Sequence, residues 1–219
     1  MKQIILFFGL VIALLSQPLQ TQAQVKIGLL KYGGGGDWYA NPTSLPNLAA
    51  FINSNTTVKA NSRIETVEAG SSSLFQYNFL HTTGHGNIVF SDSERRNLKA
   101  FLLNGGFLHI DDNYGMAPYF FKEVKKLFTD RELKPIPPSY PMYSAWFSFP
   151  QGLPKIHEHD GKTPQAFGIF DGERLVLLFT TETDLGDGWE DVEVHNDSPE
   201  SRELALKMGT NIVIWAISQ

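Results

Sequence analysis

The hydrophobic and polar positions of the chain follow two periods that alternate along its length. Short apolar runs are predicted to be strands, and the segments between them, with apolar residues three or four apart, are predicted to be helices. The predicted strands cover residues 25–30, 63–67, 75–82 and 107–110. The predicted helices cover residues 45–52 and 118–128, a segment between Ser91 and Asn104, and a final helix that begins at Ser198-Pro199.

Local sequence signals support several of these boundaries. Ser91 and Glu94 have the spacing of a capping box, and Pro199 stands where a missing N–H costs no helical hydrogen bond. Asp171-Gly172 lies between two apolar runs, residues 166–170 and 174–180, and predicts a hairpin. Strands that alternate with helices imply a mostly parallel sheet covered on both faces. The sequence therefore predicts a three-layer α/β fold with a β-hairpin added at one edge of the sheet.

The first 23 residues have the pattern of a secretory signal peptide. Lys2 precedes a short apolar run at residues 4–15, and small residues at positions 21–23 suit cleavage near Ala23. The alternative is an uncleaved membrane anchor, although the apolar run is short for a spanning helix. We expect residues 1–23 to be the signal peptide, residues 25–219 to form one α/β domain, and the protein to be periplasmic or secreted.

Composition narrows the classes of function. The formal net charge is −5 and there is no basic run, which argues against nucleic acid as a partner. The sequence contains no cysteine, so a thiol nucleophile, a thiolate metal site and a disulfide framework are excluded.

Unusual residues follow the predicted strands directly. In an open parallel sheet, ligands bind outside the carboxyl ends of the strands, so these residues are the candidates for a binding site. They are Asp37, Trp38 and Tyr39 after the first strand, Gly84, His85 and Gly86 after the third, Asp111, Asp112 and Asn113 after the fourth, and Asp184, Asp187 and Trp189 after the last.

The adjacent carboxylates Asp111 and Asp112 allow three interpretations. One of them caps the following helix or fixes its own turn; the two form a pair in which one raises the pKa of the other; or they bind a hard cation together with His85 or His109. Alternation along a strand places His109 and Asp111 on one face and Asp112 on the other.

Three other polar segments can be interpreted either as parts of a site or as ordinary turns and loops. Gly84 and Gly86 around His85 could direct N–H groups toward an anion, or simply form a tight turn. The glycine run at 33–36 lacks the ending of a phosphate-binding loop. The segment 157–160, His-Glu-His-Asp, has the composition of a metal site but no recognised ligand spacing, so we interpret it as a solvated loop.

Four longer motifs occur in a fixed order along the chain. They are Gly-Asp-Trp-Tyr-Ala-Asn-Pro at 36–42, Gly-His-Gly-Asn-Ile-Val-Phe-Ser at 84–91, Gly-Gly-Phe-Leu-His-Ile-Asp-Asp at 105–112, and Asp-Leu-Gly-Asp-Gly-Trp-Glu at 184–190. In this order they resemble a bacterial family known as domain of unknown function 4159. The final segment at 201–217, with Gly209 and Asn211, is also similar to the last helix of that family.

That family in turn resembles class I glutamine amidotransferases, which have a flavodoxin-like sheet with the site at the carboxyl ends of the strands. The resemblance implies that Asp112, or Asp111 within one residue, lies near the elbow that holds the amidotransferase cysteine. It also implies that Gly84, His85 and Gly86 match the loop that contributes to the oxyanion hole. Because the chain has no cysteine, glutaminase chemistry through a thioester is excluded.

These observations lead to three hypotheses. The first is a ligand-binding or scaffold module of the bacterial cell envelope that takes a polar small molecule or carbohydrate. The second is a hydrolase, metal-assisted or carbohydrate-directed, with Asp112 or Asp111 as nucleophile or base and His85 as its partner. The third is an interaction module in which the aromatic segment 140–149 binds an envelope protein. No cofactor is expected, and the sequence leaves a metal undecided.

Overall fold

The computed structural model describes residues 24–219 as an α/β fold built on one seven-stranded sheet. The strands are β1 (Ile27–Lys31), β2 (Glu65–Glu68), β3 (Phe79–Thr82), β4 (Phe107–Asp111), β5 (Lys134–Pro135), β6 (Gln165–Asp171) and β7 (Arg174–Thr181). The helices are α1 (Ser44–Asn55), α2 (Asp92–Leu103), α3 (Ala117–Leu127), α4 (Leu185–Gly188), α5 (Val192–His195) and α6 (Pro199–Ser218). Two 3₁₀ turns cover Ser72–Gln76 and Pro141–Ser144.

The sheet is mixed but mostly parallel. Its strand order is β2-β1-β3-β4-β7-β6-β5, and the pairings from β2 through to β7 are parallel. β6 pairs antiparallel with β7 and with β5. The turn between β6 and β7 directly follows Asp171, the last residue of β6, and Gly172 supplies its positive φ of 62°.

Each face of the sheet carries its own hydrophobic core. Successive strand residues point to opposite faces, so Phe107 joins the core beneath α1 and α6, while Leu108 joins the core beneath α2 and α3. Residues of the helices complete each layer, Leu48 and Ile212 on the first face and Leu98 on the second. The helices of these two layers therefore cover both faces of the sheet.

The pattern of the sequence predicts the long helices correctly and one strand incompletely. The capping box of α2 is present: the N–H of Glu94 donates to Ser91 Oγ, and the N–H of Ser91 donates to the Glu94 carboxylate at 2.7 Å. Of the predicted strand at 75–82, only β3 is extended. The chain before it forms a 3₁₀ turn because the hydroxyl of Ser71 accepts the N–H of Ser73 at 3.2 Å.

The predicted signal peptide, residues 1–23, lies outside the described residues. Within 24–219, no helix combines the length and the hydropathy that crossing a bilayer requires.

Candidate functional site

Loops that follow the parallel strands meet at one edge of the sheet, which we call the carboxyl edge. The N–H of Asn113 donates to the carbonyl of Gly84 at 3.3 Å, and His85 and Tyr114 form a short parallel bridge. The loop after β1 joins them through Asp37, whose carboxylate accepts the N–H of His85 at 2.5 Å. Residues that are far apart in the sequence are therefore close together here.

Asp111 ends β4 and is fully buried. Its carboxylate accepts hydrogen bonds from the hydroxyl of Thr180 and, at 2.7 Å, from the N–H of Gly186 in α4. Burial raises the pKa of Asp111 to about 7; these two hydrogen bonds oppose the rise, and the charges of Asp187 and Asp112 add to it. Asp111 therefore changes its protonation near neutral pH while shielded from solvent.

Asp112 points to the opposite face, as alternation along the strand predicts, and caps α3. Its two oxygens accept the N–H groups of Met116 at 2.7 Å and Ala117 at 3.0 Å, and the hydroxyl of Thr181 donates to it at 3.1 Å. Burial raises its pKa, hydrogen bonds from all three partners oppose the rise, and the charge of Glu182 adds to it. The capping interpretation left open by the sequence describes this geometry, because both oxygens are held by the start of the helix.

His85 has Asp37 as its acidic partner rather than either residue of the aspartate pair. Its Nδ1 lies 3.0 Å from the Asp37 carboxylate, and its side chain is half exposed. Burial alone would raise the pKa of Asp37, but hydrogen bonds from the backbone and ring of His85 lower it. Gly84 has a φ of 132°, and a Cβ there would lie 2.5 Å from the hydroxyl of Tyr32, whereas Gly86 is open. Gly84 therefore permits close packing against Tyr32, whereas a side chain at Gly86 would contact no neighbouring residue.

Asp187 is the centre of a buried amide cluster. One of its oxygens, Oδ1, accepts hydrogen bonds from Asn41 at 2.7 Å and from Asn113 at 2.9 Å. Asn113 is fixed in turn by the hydroxyl of Thr83, which donates to its side-chain oxygen. The cluster holds the Asp187 carboxylate in one orientation and leaves its second oxygen, Oδ2, free for other partners.

The segment 157–160 is a loop in which Glu158, His159 and Asp160 are exposed, as interpreted from the sequence, whereas His157 is half-buried against this cluster. His157 Nδ1 lies 3.3 Å from Asp187 Oδ2, and His157 Nε2 lies 2.8 Å from Asp197. The hydrogen bond to Asp187 raises the pKa of His157 to about 9, with burial opposing and Asp197 adding to the rise. Burial would raise the pKa of Asp187, but hydrogen bonds from His157 and Asn41 and the charge of His195 lower it. The solvated-loop interpretation thus misses the two histidines of the segment, which lie against the carboxylates of Asp187 and Asp184.

Asp184 is buried in a backbone conformation that aspartate adopts only rarely. Its φ is 59°, and that of Glu182 two residues earlier is 61°. One oxygen contacts the ring of His159, and the other has no hydrogen-bond partner among the described residues. Burial raises the pKa of Asp184 to about 9, with the charges of Asp111 and Asp187 adding to the rise. Left-handed non-glycine residues of this kind concentrate at functional sites.

Two buried histidines extend the hydrogen bonding of Asp111 into the core. His81 Nδ1 lies 3.1 Å from His109 Nδ1, and His109 Nε2 lies 2.9 Å from the hydroxyl of Thr180, which in turn contacts Asp111. Burial lowers the pKa of His81 to about 3 and that of His109 well below its usual value, so both rings are neutral. When Asp111 is ionised, Thr180 donates its hydroxyl proton to Asp111, His109 donates from Nε2 to Thr180, and His81 donates from Nδ1 to His109 Nδ1. This sequence of donors fixes the proton on Nε2 of His109 and on Nδ1 of His81.

The aromatic residues predicted to bind a ligand occupy different environments. Trp189 is fully buried, lies 5.0 Å from the ring of His81, and donates its indole N–H to Ala205 at 2.7 Å. The structure thus corrects its assignment as a ligand-stacking residue, because the core covers both faces of the indole. Trp38 is half-buried, and Tyr39 beside it is 63% exposed.

The segment 140–149 is held against helix α6 by hydrogen bonds. The side chain of Asn211 in α6 accepts the N–H groups of Trp146 and Phe147 and donates to the carbonyl of Phe147. Tyr143 is buried, Phe147 is half-buried, and only Trp146 is an exposed large apolar side chain in this segment. The burial of Tyr143 and the exposure of Trp146 alone argue against the third hypothesis, which requires several exposed apolar side chains there.

A cavity of about 300 Å³ lies at the carboxyl ends of β4 and β7, and we call it the rim cleft. Tyr114 stands on one side, 47% exposed, with its ring 4.6 Å from that of His159 and its hydroxyl donating to Asp160 at 3.0 Å. Lys162 pairs with Asp160 at 2.8 Å. The lining residues are Asp112, Asn113, Tyr114, Gly115, Ala117, Pro118, His159, Asp160, Lys162, Thr181 and Glu182.

A second, larger cavity of about 520 Å³ lies at the far end of α3. Phe121, Phe128 and Phe167 form much of its wall. It is away from the carboxyl edge, and its wall also includes the polar residues Lys125, Thr129, Arg131 and Glu132. We locate the candidate site at the rim cleft, because ligands of open parallel sheets bind at the carboxyl ends of the strands.

The family model described as domain of unknown function (DUF4159) matches residues 26–217, nearly all of the described chain. The protein belongs to the DUF4159 family. None of the curated proteins matches the chain.

Sequence reasoning missed several residues at the carboxyl edge of this DUF4159 domain. It did not select Asn41, Thr180, His195 or Asp197, because Thr180 is the last residue within a predicted strand and the other three do not directly follow one. The sequence signal that could have pointed to this cluster is the pair His157 and His159, two potential metal ligands in one loop of an acidic chain.

Proposed function

We propose that the domain binds a small hydroxyl-rich ligand of the sugar class in the rim cleft. The observation that carries the proposal is the cleft itself, a cavity of about 300 Å³ with an exposed tyrosine ring beside amide, hydroxyl and carboxylate groups. An aromatic face packs against the C–H surface of a sugar ring, and converging polar groups bind its hydroxyls. Tyr114 supplies the face, and Asn113, Asp160 and Thr181 supply polar groups.

The charge of the cleft indicates which sugars bind best. Three carboxylates line it, those of Asp112, Asp160 and Glu182, against the single ammonium of Lys162. An amino sugar such as glucosamine should therefore bind more tightly than glucose, and glucuronate should bind most weakly.

Binding is favoured over hydrolysis by the partners of the candidate catalytic residues. Both oxygens of Asp112 are engaged at the start of α3, and the imidazole of His85 is engaged by Asp37. The hydrolase alternative keeps one supporting observation, the pair formed by His85 and Asp37, which is exposed at the carboxyl edge like the acid–base pairs of hydrolases.

We also propose that the fold is flavodoxin-like and of the amidotransferase class. The order β2-β1-β3-β4-β7 supports this, since it repeats the 2-1-3-4-5 order of flavodoxin-like sheets. In this view β6 and β5 are an addition at the β7 edge.

Export to the cell envelope is proposed from the signal-peptide pattern of residues 1–23. The test is N-terminal sequencing of the protein recovered from a host cell envelope. A mature terminus near Gln24 is expected, and an intact Met1 on the recovered protein would contradict the proposal.

Calorimetric titration of the protein with glucosamine, glucose and glucuronate tests the binding proposal. The expected order of affinity is glucosamine, then glucose, then glucuronate, because the cleft carries more carboxylates than ammonium groups. Tyr114→Ala should weaken glucosamine binding by about 3–10-fold, which is the contribution expected of one aromatic face.

Tyr119→Ala is the matched control, since Tyr119 is 41% exposed on α3 and does not line the cleft. Equal losses in the two tyrosine variants, or no binding of any of the three sugars, would overturn the proposal.

A further inference from the structure

We infer that His157, Asp187 and His195 form a binding site for a divalent transition-metal ion. One potential ligand atom from each residue lies within 4.8 Å of the other two. His157 Nδ1 lies 3.3 Å from Asp187 Oδ2, and His195 Nε2 lies 3.8 Å from the same oxygen. This inference goes beyond the proposed sugar binding and does not depend on it.

The spacing of these atoms suits a metal ion at their centre. Bonds of about 2.0–2.2 Å in a tetrahedral arrangement place neighbouring ligand atoms about 3.4 Å apart. The two separations from Asp187 Oδ2, 3.3 and 3.8 Å, lie close to this value, and the ligand atoms of the two histidines lie within 4.8 Å of each other. The His195 side chain is 31% exposed and ends a short helix.

Neighbouring groups already orient two of the three ligands. Asp187 Oδ1 is held by the amides of Asn41 and Asn113, which turns Oδ2 toward the histidines. His157 Nε2 lies 2.8 Å from Asp197 and donates its proton to that carboxylate, so a metal ion that binds Nδ1 displaces only the proton that Nδ1 shares with Asp187. Carboxylate and amide partners of this kind fix the ligands of metal sites in proteins.

The backbone brings His195, the third ligand, and Asp197, the partner of His157, into place. α5 ends at His195 because Asn196 adopts a left-handed conformation with a φ of 56°, and this turn returns the chain so that Asp197 meets His157. The loop that carries His157 is tied to the end of β7 by the N–H of Ile156, which donates to the carbonyl of Thr183 at 2.9 Å.

The chemistry of the donors selects the class of metal. Two imidazole nitrogens and one carboxylate oxygen suit Zn²⁺ and its first-row neighbours, whereas Ca²⁺ and Mg²⁺ require oxygen ligands. Three protein ligands leave a coordination position for water or substrate, as in catalytic zinc sites. The two histidine side chains are 22% and 31% exposed, so solvent reaches this position.

Zinc titration of the tag-free protein after chelator treatment tests the inference. One equivalent of Zn²⁺ should bind, and Co²⁺ bound in its place should give the visible absorption of a four-coordinate site. Asp197→Asn should weaken Zn²⁺ binding by about 10–100-fold, because Asp197 only orients His157. His195→Gln removes a ligand and should weaken binding by a larger factor.

His85→Gln is the matched control, since it removes an exposed histidine that pairs with Asp37 outside the cluster. Its affinity for Zn²⁺ should equal that of the unmodified protein. The inference is overturned if the protein shows no saturable one-to-one binding, or if His195→Gln binds Zn²⁺ as tightly as the unmodified protein. Either result would make the cluster a structural ion pair only. Circular dichroism of each variant confirms that a loss of binding is not a loss of the fold.

Discussion

Asp111 and Asp112 are adjacent in the sequence, but they point to opposite faces of the sheet and have different partners. Asp112 is bound by the first N–H groups of α3, and Asp111 is bound by Thr180 and by the backbone of α4. The sequence predicts the opposite orientations from strand alternation. It could not predict the partners, because Thr180 and Gly186 are about seventy residues away along the chain.

The role of Asp112 can be tested by its effect on stability. Asp112→Asn keeps one acceptor oxygen and should lower the free energy of unfolding by about 1 kcal/mol, and Asp112→Ala, which removes both, by about 2 kcal/mol. Urea denaturation measures both values. A nucleophile would behave differently: if Asp112→Asn unfolds at the same urea concentration as the unmodified protein while a hydrolytic activity disappears, the capping role is refuted in favour of the hydrolase.

The pKa of Asp111, about 7 in the folded protein, makes stability depend on pH. The unfolded chain releases this proton near pH 4. The folded state therefore binds the extra proton between about pH 4 and 7, and stability falls as the pH rises through this window, by on the order of 1 kcal/mol per pH unit. Asp111→Asn is neutral at every pH, so its unfolding free energy should fall less between pH 5 and pH 8.

Asp130→Asn is the matched control for this measurement. Asp130 pairs with Lys99, which lowers its pKa, so it stays ionised across the same range. Urea denaturation at pH 5 and pH 8, with a chelator present, gives the comparison. The same pH dependence in Asp111→Asn and in the unmodified protein would show that Asp111 does not titrate in this window.

At the scale of elements, the hydrophobic pattern predicts those features of a helix that depend on residues three or four positions apart. The core-facing stripe of α2 and its capping box are local features, and both are present in the structure. α4 and α5 were missed because four residues are too few to show a period. These two short helices carry Asp187 and His195, so the part of the fold that the pattern could not predict includes two of the three proposed metal ligands.

The packing of α6 beneath the site yields a prediction at this scale. A Cβ at Gly209 would lie 2.7 Å from the ring of Trp189 and 2.8 Å from the side chain of Leu48. Inside a helix, alanine stabilises the folded state by about 1 kcal/mol relative to glycine, but overpacking of a core destabilises it by about 1–3 kcal/mol. Gly209→Ala should therefore lower the free energy of unfolding in thermal or urea denaturation.

Gly70→Ala is the control, because a Cβ there would make only an ordinary contact, 3.6 Å from Glu94. If Gly209→Ala raises stability, the contact between α6 and Trp189 is looser than the structure shows.

At the scale of the whole molecule, the site is assembled from segments that no local pattern connects. Asn41 and Asp187 are bonded across 146 positions of the chain, and His157 and Asp197 across 40. The general rule that ligands bind at the carboxyl ends of parallel strands predicts the region correctly. It does not predict that the loop at 157–160 closes over that region, because this depends on the charge of side chains brought together only by folding.

The most direct test of the proposed binding site is to map sugar contacts by NMR. Titration of the isotope-labelled protein with glucosamine should shift the backbone amide signals of the rim cleft, at Asn113–Ala117, His159–Lys162 and Thr181–Glu182. Signals of Phe121, Phe128 and Phe167, around the larger cavity, should remain in place. Shifts confined to that larger cavity, or an unchanged spectrum at millimolar sugar, would contradict the assignment of the rim cleft as the ligand site.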